Sequence, residues 1–190
     1  WALARVSSSL VLGTKPLIIQ RFFFFQIVDF MAKKIEKTNA ARLLDRAKVA
    51  YELIPYEVDE NDLAATHVAE SLGEPIERVY KTLVLRGDRN GHFVCVVQGD
   101  KEVDLKLAAK VSGNKSAALI PMKELLPTTG YIRGGCTPIG MKKRFPTFID
   151  ESVLEFDYIY ISAGQRGLQL RLNPQDLIAF VGAEVAPLVL

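Results

Sequence analysis

Cysteine and histidine are scarce in this chain: Cys95, Cys136, His67 and His92 are the full complement in 190 residues. Two thiols cannot build a disulfide framework, and no CxxC pair or close Cys/His cluster offers the spacing that holds zinc. Reduced thiols, surface histidines and no bound metal are therefore expected. Long uninterrupted apolar runs are lacking as well. The first thirty residues, WALARVSSSLVLGTKPLIIQRFFFFQIVDF, are rich in Leu, Ile and Phe, but Lys15 and Arg21 break them. No stretch there reaches the roughly 18 apolar residues of a membrane span. No small-residue cleavage site follows residues 22–25, which argues against a secretory signal. The segment has neither helical nor strand periodicity, and Met31 follows it directly. Residues 1–30 are expected to be a leader, upstream or artificial sequence outside the fold, with one domain in 31–190.

Net charge is the third thing in short supply. Arg5, Lys15 and Arg21 against Asp29 give the leader +2, which is the whole chain's net charge of +2, so residues 31–190 are formally neutral. A domain that grips nucleic acid unaided carries a basic surplus, because phosphate neutralisation supplies most non-specific affinity. Weak intrinsic RNA binding is expected. The one basic run, Lys142, Lys143 and Arg144, reads either as a phosphate contact or as a solvated turn.

What is present is an alternation of helix and strand signals. Thr38 is placed to cap a helix reaching about Lys48. A strand over 51–58 follows, and Asp62 is read as the cap of a second helix stopped by Gly73. Segments 82–85 and 92–97 flank a turn containing Asn90-Gly91 and read as a hairpin. Asp104 opens a helix through Val111, 117–120 reads as a short strand, and Pro121 opens a brief helical turn over 122–126. Strands are expected at 147–149, 158–162 and 168–172 from their β-branched and aromatic content. Asn173-Pro174 starts a last helix that Gly182 ends. With 49% apolar residues and no linker or repeat in 33–190, this is a single compact α/β domain with a mixed sheet.

Three segments carry possible chemistry. In Tyr80-Lys81-Thr82-Leu83-Val84 a lysine enters an apolar strand. In Gly134-Gly135-Cys136-Thr137-Pro138-Ile139-Gly140 glycines expose backbone N–H groups able to bind an oxyanion or carbonyl. Ser162-Ala163-Gly164-Gln165-Arg166-Gly167 is a tight turn between strands. Each also has a plain reading, since an edge lysine snorkels to solvent and glycine loops turn corners. Cys136 sits where a nucleophile would, but no histidine is at hand to activate it, so it reads as a passive thiol.

Together and in this order, these segments resemble the YbaK/EbsC family of aminoacyl-tRNA deacylases. The likeness spans about 37–185 and includes KTNAARLLD, VYKTL, DLKLAAKVSG, GYIRGGCTPIGMKKRFPTFID and YISAGQRGL. It implies a mixed, barrel-like sheet flanked by helices and a cofactor-free cytoplasmic enzyme that removes cysteine from mischarged Cys-tRNA(Pro). The partners it implies are aminoacyl-tRNA and prolyl-tRNA synthetase. It further implies that Lys81 is the essential lysine and that Gly135 lies at or next to the glycine whose amide faces the scissile carbonyl. Tyr56, Thr82, Gly134, Pro138 and Ser162 would bind substrate. The substrate's own thiol would cleave the ester, with water as the rival nucleophile. Two departures bear on specificity: the turn reads SAGQRG, and Gln169 stands where some members have an acidic residue. A non-catalytic tRNA- or synthetase-binding adaptor, and a deacylase of another small amino acid, are the competing readings.

Overall fold

Helix ends are set by local capping. In the computed structural model, which describes residues 36–60 and 62–189, helix α1 (Asn39–Ala47) begins where the Thr38 hydroxyl accepts from Ala41 N and ends at Lys48 in the left-handed region. Strand β1 is Tyr51–Pro55, and α2 (Ala65–Leu72) stops at left-handed Gly73. The hairpin of β2 (Tyr80–Gly87) and β3 (Gly91–Gln98) leads to α3 (Leu105–Val111), capped by the Asp104 carboxylate. Then come β4 (Ala117–Leu119), α4 (Met122–Thr129), β5 (Thr147–Asp150), β6 (Ile159–Ser162), β7 (Leu168–Leu172), α5 (Pro174–Val181) and β8 (Glu184–Ala186). Short 3-10 turns occupy Ile76–Arg78 and Glu151–Glu155. These elements fall in one unit, Lys37–Leu190. The expected leader, residues 1–30, lies outside the described residues.

The strands form two sheets. One runs β4-β2-β3-β5-β8, antiparallel on the hairpin side and parallel from β3 through β5 to β8; the other is antiparallel β1-β7-β6. Among the described residues a single parallel bridge, Val79 to Tyr160, joins them. The mixed α/β architecture is as expected, but the sheet is not closed, so the barrel-like description is too strong. Both sheets turn one apolar face inward: Val84, Val94, Val96 and Ile149 meet Ile159, Ile161, Leu170 and Leu172, with Leu44 and Leu177 of the flanking helices closing the cluster. Full burial of each such side chain contributes about 1.5–3 kcal/mol.

Several boundaries differ from expectation for physical reasons. Strand β1 is shorter than 51–58 because Pro55 has no N–H, and only one further bond, Tyr56 N to Gly167 O at 3.0 Å, continues the pairing. Asp62 does not cap α2: its carboxylate accepts from Ala64 N, before the helix, and the cap position Ala64 has no side-chain bond. Helix α4 runs past Pro127, because Gly130 N and Lys142 Nζ both donate to Leu126 O and so satisfy its C-terminal end. His92 is part-buried rather than exposed, accepting from Arg86 Nε at 3.2 Å and standing edge-on to Phe145. Among the described residues no helix is long and apolar enough to cross a membrane.

Asp150 ties the end of β5 to the chain's last segment. Its buried carboxylate accepts from Ser152 N at 3.1 Å and from Leu188 N at 2.9 Å. Asp150→Ala leaves the Leu188 N–H without an acceptor in the interior and is expected to cost about 3 kcal/mol, read as a lower urea midpoint with an unchanged slope.

Candidate active site

Side-chain alternation decides which of the expected site residues meet. Directly paired residues share a face of a sheet, and every second residue returns to it. Because Val79 pairs with Tyr160 in parallel, Lys81 and Ser162, two residues further along each chain, lie on the face that carries Val79 and Tyr160. Ser162 pairs with Gln169, which pairs with Ile54, and Tyr56 follows on the same face. Tyr56, Lys81 and Ser162 are thus brought to one face, and helix α2 covers part of it: Val68 and Ala69 pack with Val79, Tyr160, Ile54 and Tyr56. Thr82 alternates to the opposite face, beside Tyr80, Val84 and Val96, where its buried hydroxyl has no hydrogen-bond partner.

Lys81 does not reach from a sheet edge into solvent. Its part-buried ammonium donates to Gly99 O at 2.9 Å. Burial pulls its pKa below the usual lysine value, while the Glu102 and Asp100 carboxylates work against that shift. Gly99, just beyond β3, also donates its N–H to Val79 O at 2.7 Å. A Cβ there would stand 2.5 Å from Ala65 Cβ.

The glycine loop and the tight turn meet. A Cβ on Gly135 would lie 3.1 Å from Gln165 Cα, and one on Gly134 would lie 3.5 Å from Leu63, just ahead of α2. Arg166 Nε donates to Arg133 O, and Ser162 Oγ accepts from Gly164 N. Tyr131 joins the two segments: its hydroxyl donates to Ile139 O at 2.6 Å, and its ring lies so close to Gly164 that a Cβ there would be 3.0 Å away. The Gly135 N–H donates to Ile132 O at 3.0 Å within a turn. For that amide to face a substrate carbonyl, this bond must be exchanged. Pro138 is part-buried in the same loop, next to buried Thr137 and Ile139. The hydroxyl of Thr137 and the Oε1 of Gln169 are buried without hydrogen-bond partners. Gly99, Ala65, Leu63 and Tyr131 escape sequence reasoning, because no local pattern announces a contact between distant segments.

Lys142, Lys143 and Arg144 are all exposed, and Lys142 donates to Leu126 O and Pro127 O at the end of α4. Among the described residues no group of three or more His, Cys, Asp or Glu side chains is arranged to hold a metal ion.

The structure is a small α/β domain in which the glycine loop meets the turn after Ser162 and Lys81 lies on the face that carries Ser162. The chain belongs to the aminoacyl-tRNA editing family, whose domain model matches residues 60–180. It is 46% identical over 158 residues, 82% of this chain and 96% of the other, to the Enterococcus faecalis protein named "Putative Cys-tRNA(Pro)/Cys-tRNA(Cys) deacylase EbsC". A proline–tRNA ligase of Cupriavidus necator is 30% identical over 139 residues, 71% of this chain but 24% of the ligase. Among solved structures, "a putative trans-editing enzyme for prolyl tRNA synthetase" superposes with a TM-score of 0.69 at 23% identity, covering 82% of this chain and 99% of that one. This last likeness supports the fold.

Burial pushes both thiols, Cys95 and Cys136, up to about 12. At pH 8 each is almost wholly protonated, so alkylation by iodoacetamide is expected to run about a thousandfold slower than for a free cysteine of pKa near 8.5. Mass-resolved time courses check this, and rapid labelling of Cys136 in the folded protein would restore it as a candidate nucleophile.

Proposed function

We propose that this protein is a trans-acting deacylase that removes cysteine from mischarged Cys-tRNA(Pro). The observation that carries the reading is Lys81: a part-buried ammonium tethered by one hydrogen bond, on the same face as Tyr56 and Ser162, at a seam that the glycine loop also borders. A lysine ammonium has three N–H donors, and among the described residues only Gly99 O accepts from this one. Two donors are left for the oxygens of an ester. The printed name of the Enterococcus relative supports cysteine as the amino acid removed.

The chemistry needs no protein nucleophile. The substrate's sulfur attacks its own carbonyl carbon, the C–S bond forms as the bond to the 3′ oxygen breaks, and the thiol proton ends on that oxygen. The product is a small thiolactone, which water opens to free cysteine. The protein's part is to hold the reacting atoms together and to set donors at the carbonyl oxygen as charge develops, contributions of several kcal/mol each. Lys81, with Tyr56 and Ser162 on the same face and Gly134, Gly135 and Pro138 in the loop, is the centre of that arrangement, and Thr82 backs the strand from its other face. A water attack in place of the thiol would use the same donors. Gln169, paired with Ser162 and holding an unpaired buried oxygen, bears on which small amino acid is accepted.

Formal neutrality of residues 31–190 supports a second party to binding. Prolyl-tRNA synthetase, some of whose members contain a segment similar to this chain, is the proposed partner, and the cytoplasm the proposed compartment.

Lys81→Ala should lower single-turnover deacylation of Cys-tRNA(Pro) at least about a hundredfold while thermal unfolding stays cooperative. Lys81→Arg should not restore it, because a planar guanidinium does not replace a compact ammonium in a confined site. A near-wild-type rate in folded Lys81→Ala overturns the assignment. In the same assay at limiting tRNA, added prolyl-tRNA synthetase should raise the rate, and no effect across a salt titration counts against the partnership.

A further inference from the structure

The end of β3 is built around a residue beside which a Cβ has no room unless a neighbour shifts. Gly99 N donates to Val79 O at 2.7 Å, fixing the residue against the start of β2, and Gly99 O accepts from Lys81 Nζ at 2.9 Å. A Cβ at this position would stand 2.5 Å from Ala65 Cβ, 3.1 Å from Ile76 Cδ1 and 3.1 Å from Val79 O. The first of these distances is closer than two carbons approach, so a side chain here forces α2 or the strand end to move. Gly99 is not among the glycines with positive φ, so the requirement is for space and not for an unusual backbone. Three elements therefore meet on one peptide: the end of β3, the first residue of α2, and the segment that bridges the two sheets at Val79.

We infer that Gly99 is a positioning residue for Lys81: its carbonyl takes one N–H of the ammonium and, held in place by Val79 and Ala65, aims the other two toward the substrate ester. The inference rests on the deacylase reading for what those two donors act on. Its structural content, that the Gly99 carbonyl fixes the ammonium, stands apart from that reading and is tested without substrate. A free lysine side chain loses much rotamer entropy on each encounter, and a main-chain acceptor ordered by its neighbours removes that loss before substrate arrives. The carboxylates of Asp100 and Glu102, which follow Gly99, sustain the charge.

The test uses the full chain. In wild type, the Lys81 ammonium should give a slowly exchanging 15N signal, identified by its absence in Lys81→Ala, with a through-hydrogen-bond coupling from Lys81 Nζ to the Gly99 carbonyl carbon. Gly99→Ala should broaden or remove the signal and cut the single-turnover rate at least tenfold while the protein remains folded. Ala65→Val, which crowds the same contact from the helix side, should do likewise. The double change Ala65→Gly with Gly99→Ala opens the 2.5 Å contact and should restore signal and rate together. A folded Gly99→Ala protein that keeps the signal and the wild-type rate overturns the inference. So does one that loses rate while the signal is unchanged, which marks Gly99 as structural only. Should neither single variant fold, the wild-type coupling decides, and its absence under conditions where the signal is sharp is equally fatal. If wild type deacylates no substrate, the functional reading fails while signal and coupling still settle what holds Lys81.

Discussion

One backbone bridge, Val79 to Tyr160, organises this molecule. Among the described residues it is the one β-bridge between the two sheets, and because it is parallel it places Lys81 and Ser162 at matching positions on one face. Had the bridge slipped by one residue, Val79 would stand opposite Ile159, and Lys81 would match the apolar Ile161 in place of Ser162. Its register is held from both sides. Val79 O is occupied by Gly99 N, and the Tyr160 hydroxyl donates to Glu74 Oε1 at 2.8 Å just beyond α2.

The covering of that face follows from the same contact. Arg78 donates to Asp157 and to Tyr158 O, and lies over the Tyr158 ring at 4.0 Å, with Arg171 over the same ring at 3.9 Å. These interactions lock the segment before β2 to the segment before β6. Surface ion pairs by themselves contribute little, but stacked guanidinium groups add dispersion and cation–π attraction at a seam where only one backbone bridge is available. Apolar packing of Val68 and Ala69 then seats α2 on the joined sheets, which carries Ala65 to Gly99 and Leu63 to Gly134.

The parts of the fold that were legible in the sequence are those governed by short-range chemistry. Thr38, Asp104 and Asn173 cap helices as their side chains dictate, and Gly73 and Gly182 end helices in the left-handed region. Asn90-Gly91 marks the hairpin because Gly91 takes positive φ. What failed was set by distant groups. The extension of α4 past Pro127 depends on Lys142, far along the chain, and β8 exists because β5 offers it a parallel edge. The open seam between the sheets has no signature in any window of residues. Of the candidate site, the lysine, loop and turn were legible as segments, but alternation separates Thr82 from Lys81, a relation that naming adjacent residues conceals.

The division of labour within the site follows from what its groups can do at neutral pH. Two thiols held up to about 12 are poor nucleophiles, and the Gly135 amide is already bonded to Ile132 O. That leaves the Lys81 ammonium as a charged donor with spare N–H groups. A part-buried cation is costly unless its charge is sustained. Here a main-chain carbonyl and the nearby carboxylates of Asp100 and Glu102 oppose the pull of burial. The carboxylates act through their field, and Glu102 is exposed to solvent, so they support the charge without occupying its donors. An ammonium anchored by one neutral acceptor remains free to direct its other hydrogens at an oxygen gaining negative charge. A bidentate carboxylate partner would have consumed them.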